Sequence, residues 1–130
     1  MTAPPLEGKL DHERLDVYQA ALQFLPLALS LLPRQGERSL LDQLERAGQS
    51  VILNIAEGAG RRSRQEKRHF YEIARGSATE CASILDILRV RRIGSPETNA
   101  RARLLLIRIV QMLSRLSGAA QPGRRVSSRR

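Results

Sequence analysis

The chain has 130 residues, the size of one domain and enough to bury a core without disulfides or a structural metal. Its single cysteine, Cys81, excludes an internal disulfide, and with only two distant histidines it excludes a zinc-finger arrangement. The formal charge of +9 is unevenly divided: residues 1–60 hold 5 Lys/Arg and 8 Asp/Glu, a net of −3, whereas residues 61–130 hold 17 and 5, a net of +12.

Apolar residues recur at helical spacing almost throughout, and no stretch shows sustained β alternation. A charged extension over residues 1–12 precedes the first helical segment, which starts between Asp11 and Asp16 and runs to about Leu32. Leu15, Tyr18, Leu22, Leu25, Leu29 and Leu32 form its expected buried stripe, and Pro26 inside it removes a hydrogen bond and predicts a kink. The apolar run 17–33 is too short and too polar to span a bilayer. Asp11, Glu13 and Asp16 stand where a signal peptide would be cationic. No membrane partner is expected, and the lone thiol fits a reducing cytoplasm.

The second segment is expected to open at Ser39 as a cap and to bury Leu40, Leu44, Ala47, Val51, Asn54 and Gly58 before the turn Gly58-Ala59-Gly60. Ser63-Arg64-Gln65-Glu66 fits a capping box at the start of the third segment. Phe70, Ala74, Ser77, Cys81, Ile84 and Leu88 share one face of it, and it should stop near Ile93. Gly94 can then take the left-handed conformation, Ser95 can cap the fourth segment, and Pro96 and Glu97 suit its first turn. The fourth segment runs from about Pro96 to Leu116 with a thin polar stripe of Arg101, Arg108, Gln111 and Arg115. Its remaining circumference is more apolar than the roughly 100° arc one core needs, which predicts a second buried surface and hence self-association. The reading is all-α: an antiparallel up-down-up-down four-helix bundle over residues 13–117, followed by a basic, disordered C-terminal tail over 118–130.

Arginine supplies 20 of the 22 positive charges. Its planar fork binds phosphate bidentately and stacks on bases, so a polyanion partner is indicated. The densest cluster is Arg61, Arg62, Arg64, Lys67 and Arg68; Arg124, Arg125, Arg129 and Arg130 add to it from the tail. Aromatic stacking partners are scarce, so binding through these residues would be led by backbone and shape. The bland reading of the same cluster is a solvated face. Gly58-Ala59-Gly60 is a turn rather than a phosphate loop, because no strand precedes it and no Gly-Lys-Ser/Thr follows. One Glu-x-x-His, Glu66 to His69, is half of what a di-iron bundle needs, so no metal or cofactor is expected. Glu57 and Glu80 should lie roughly 20 Å or more apart along the helices, too far to act as an acid–base pair. Arg46, Asn54, Glu57, Ser77 and Glu80 therefore read as a structural polar network, with Glu80 within reach of Arg46 or Gln43.

The run from Gln43 to Gly58, containing Asn54-Ile55-Ala56-Glu57-Gly58, is followed by Gly60-Arg61-Arg62-Ser63, Phe70, Ile73-Ala74-Arg75-Gly76-Ser77 and Glu80. Together with Leu15, Val17, Tyr18 and Leu32-Pro33, this pattern resembles the four helix bundle proteins first noted as products of intervening sequences in bacterial 23S rRNA. The resemblance covers about residues 15–90; Pro26 and residues 91–130 depart from it. It implies a four-helix bundle that forms a homopentamer and carries no enzymatic activity. It also implies kinship with accessory proteins of diversity-generating retroelements, which bind a reverse transcriptase and nucleic acid through basic surfaces. The expected function is thus a non-enzymatic, oligomeric nucleic-acid-binding protein, RNA first, or a ribonucleoprotein accessory protein. The alternative is a protein-binding adaptor or scaffold.

Overall fold

The computed structural model describes residues 10–33 and 35–118. The tail over 119–130, with Arg124, Arg125, Arg129 and Arg130, lies outside the described residues. A single 3-10 turn, Asp11–Arg14, leads into four α-helices: α1 Asp16–Leu29, α2 Arg38–Ala59, α3 Arg64–Val90 and α4 Pro96–Leu116. Each helix packs on two neighbours, α1 on α2 and α4, and α3 on α2 and α4. Short connections make consecutive helices antiparallel, which gives the expected up-down-up-down bundle.

One core runs through the bundle. Phe24, Leu44, Ile55, Leu85, Leu88, Ile109 and Leu113 are its largest fully buried side chains. Burial of each stabilises by roughly 1.5–3 kcal/mol against the entropy of ordering the chain. On α1 the fully buried row is Val17, Ala20, Ala21, Phe24 and Ala28; of the row expected, Leu32 beyond the helix end is buried, Leu15, Tyr18, Leu25 and Leu29 are half-buried, and Leu22 is exposed. Both rows are apolar, and the one with three alanines lets α1 approach its neighbours closely. Leu25 lies over Gly48 of α2, where an added Cβ would meet its Cδ1 at 2.6 Å. On α3 the buried aromatic is Tyr71 rather than Phe70, because Tyr71 lies over Gly58 of α2 at a distance no side chain at 58 would permit.

The helix ends are set partly by sequence and partly by tertiary contacts. Ser63 Oγ accepts from the Glu66 amide at 3.0 Å and Ser95 Oγ from the Thr98 amide at 3.1 Å, as the capping pattern predicts. Helix α2, however, begins at Arg38, one residue before Ser39, with Glu37 at the cap position. Glu37 is held there by Arg91, whose two guanidinium nitrogens donate to its two carboxylate oxygens, each at 3.0 Å. This bidentate pair joins the start of α2 to the end of α3 and overrides the local capping preference. Helix α1 continues through Pro26 and ends at Leu29, earlier than Leu32; the Ser30 amide donates to the Pro26 carbonyl. Helix α3 ends at Val90, earlier than Ile93, because Arg92 takes φ +60° and the Ile93 amide turns back to the Leu88 carbonyl at 2.8 Å. Asn99 is a buried polar residue that the sequence reading did not single out. Its side-chain amide donates to the Leu85 carbonyl at 3.0 Å and pins α4 to α3.

Candidate nucleic-acid interface

The basic cluster sits where α2 turns into α3. Helix α2 can end against α3 here because Gly58 has no side chain: a Cβ would stand 2.7 Å from the Tyr71 ring and 3.3 Å from the Lys67 carbonyl. The turn closes with the Arg61 amide donating to the Gly58 carbonyl, and Ser63 then starts α3. This geometry divides the five cations by what they touch. Lys67 Nζ donates to the carbonyls of Gly58 (3.3 Å) and Ala59 (2.9 Å), so it caps the C-terminus of α2, where the helix dipole favours a cation. Arg61 pairs with Glu57 and lies over the Phe70 ring, 4.8 Å from its centroid. Arg68 makes an exposed pair with Glu72 at 3.3 Å, which holds it weakly. Arg62 and Arg64 are exposed and form no ion pair among the described residues.

The expected polar network is split. Ser50 and Ser77 share a hydrogen bond of 2.7 Å across the α2–α3 contact, and Asn54 Nδ2 donates to the Ser50 carbonyl and hydroxyl at 2.8 and 3.1 Å. Asn54 therefore reaches Ser77 through Ser50, a residue outside the network expected from sequence. Glu57 faces the turn and serves Arg61. Arg46 and Glu80 line one open groove with Gln43 and Asp42, as the antiparallel register predicts. They form no ion pair among the described residues, and both are exposed. A strong buried pair is thus absent at this position, and Arg46→Ala should cost less than about 1 kcal/mol.

Burial, with the neighbouring Glu80 adding to it, pushes the Cys81 thiol up to about 12. It is a neutral, inert core side chain at physiological pH. Among the described residues no group of three His, Cys, Asp or Glu could hold a metal ion, and no helix is long and apolar enough to cross a membrane.

The split among the cations has a measurable consequence. Lys67→Met keeps the aliphatic stem but leaves two carbonyls at the end of α2 without their donor. It should lower stability by about 0.5–1.5 kcal/mol. Arg64→Gln, at an exposed position without an ion-pair partner among the described residues, should change stability by less than about 0.5 kcal/mol. Denaturant unfolding of the two variants checks this, and equal losses would contradict the assignment of Lys67 as a cap.

The family model described as 23S rRNA-intervening sequence protein matches residues 13–115. No curated protein matches the chain.

Proposed function

Because this chain belongs to the 23S rRNA-intervening sequence protein family, we propose that it is a non-enzymatic RNA-binding or ribonucleoprotein accessory protein that works as a homo-oligomer. The observation that carries this reading is the state of Arg62, Arg64 and Arg68. Two of them are free of intramolecular acids among the described residues, the third is held only by an exposed pair, and all three lie between the α2–α3 connection and the second turn of α3, in a half-chain with net charge +12. Guanidinium groups presented in this way neutralise phosphates and read little sequence. Lys67 and Arg61 support the turn rather than the ligand.

The test is a fluorescence-anisotropy titration with single- and double-stranded RNA and DNA at two salt concentrations. RNA should bind with weak sequence dependence, and log affinity should fall with log salt by about 0.7 per phosphate contact on single strands. Absence of RNA binding near physiological salt would reject the reading.

Self-association rests on apolar surface that one bundle leaves uncovered. Leu53 of α2 is 65% exposed, and Ile73 of α3 and Ile107 of α4, the latter well to one side of the arginines of that helix, are also open. A homo-oligomer, with five subunits first, buries this area; light scattering at micromolar concentration should show it. A monomer would instead leave these residues as the docking face of an adaptor, which is the second reading this exposure favours.

A further inference from the structure

The cations at the start of α3 do not act alone. Arg64, Lys67 and Arg68 line a groove of about 540 Å3 whose opposite wall is the last turn of α4, with Arg115. Lys67 is turned toward the end of α2, so the groove offers Arg64, Arg68 and Arg115 to a ligand. Arg115 is also the last member of a stripe. Arg101, Arg108 and Arg115 recur every seven residues, two helical turns and about 10.5 Å apart, on one exposed line of α4. None of the three forms an ion pair among the described residues.

The other side of Arg115 is closed to a polyanion. There it borders an apolar groove of about 190 Å3 shared by Leu15, Val17, Met112 and Asp16. Asp16, on the wall of this groove, adds a carboxylate to that side. A chain of phosphates seated in the cationic groove is repelled by the Asp16 side and attracted along α4.

We infer that an RNA backbone enters the groove between Arg64, Arg68 and Arg115 and continues over Arg108 to Arg101. The inference rests on the RNA-binding reading above and gives it a direction: the track runs along α4, a helix outside the turn that carries the densest cluster. From Arg115 to Arg101 it extends about 21 Å. A single strand long enough to follow it gains contacts that a very short oligonucleotide cannot make.

The experiment compares the unmodified protein with a triple variant, Arg101→Gln, Arg108→Gln and Arg115→Gln, and with Arg115→Gln alone. Arg46→Gln removes the same charge from the groove near the start of α2 and serves as the control. Anisotropy titrations use a labelled single-stranded RNA of roughly 12 nucleotides and one of roughly 4, over a series of salt concentrations. The slope of log affinity against log salt should become shallower by about 2 in the triple variant and by about 0.7 in Arg115→Gln, and stay unchanged in Arg46→Gln. The triple variant should also lose most of the longer strand's advantage. A triple variant with the unmodified slope, in a protein that still binds and still responds to Arg62→Gln with Arg64→Gln, would overturn the track and leave RNA binding standing. An unmodified protein that binds neither strand would overturn both.

Discussion

Replacing Arg62 and Arg64 together with glutamate is expected to weaken RNA binding by roughly 10- to 100-fold near physiological salt, with the fold unchanged. Both side chains are exposed, and neither has an intramolecular partner among the described residues. Each reversal removes one phosphate contact and adds a repulsion. The salt slope should fall by about 1.4 for the two contacts. Arg61→Glu is a different experiment. It places a second carboxylate beside Glu57 and removes the guanidinium from the Phe70 ring, so its effect on binding would be mixed with a loss of stability. Circular dichroism should show unaltered helix content for the double variant. If its affinity and slope match those of the unmodified protein, the turn is a solvated face and the adaptor reading gains.

Gly94→Ala is expected to cost about 2–5 kcal/mol, because backbone strain and a close contact coincide there. Two independent effects coincide at this residue. Its φ of +84° lies where L side chains are strained, by about 1–2 kcal/mol. An added Cβ would also stand 2.7 Å from the Leu31 carbonyl oxygen and 2.7 Å from Leu31 Cδ2. A flexible side-chain tip could move, but a backbone carbonyl in the adjoining connection cannot without shifting the end of α1, so roughly 1–3 kcal/mol adds to the strain. The melting temperature should fall by roughly 10 °C or more. Gly118→Ala is the comparison: φ is +77° with nothing within 4 Å, so only the backbone term applies. Equal losses at 94 and 118 would show that the close approach of Leu31 contributes nothing.

The glycines also show what a pattern conceals. Gly58 ends the Asn54-Ile55-Ala56-Glu57-Gly58 run and reads from sequence as a turn former. In the fold it lies within α2, and it is glycine because Tyr71 of α3 occupies the space a side chain would need. Phe70 and Tyr71 differ little in local preference. Their fates diverge because one meets Gly58 and the other meets the guanidinium of Arg61.

By itself the sequence determined the helical class, the four segments, the caps at Ser63 and Ser95, the left-handed glycine at 94 and the concentration of arginine in the second half. All of these depend on residues close in the chain: a 3.6-residue period, a hydroxyl three residues before an amide, a residue with no Cβ. Only the tertiary structure decided which of two apolar rows on α1 faces the core, because alanine spacing matters only when a neighbouring helix sets the distance. It also decided that Glu37 rather than Ser39 opens α2, through Arg91 far along the chain. Above all it decided how the basic cluster is divided. Lys67 and Arg61 find carbonyls, a carboxylate and a ring brought to them by the α2–α3 turn, whereas Arg64 finds Arg115 across a groove. A charge run looks uniform in sequence because charge is a property of the residue; whether that charge is spent inside the protein or offered to a ligand is a property of what the fold places next to it.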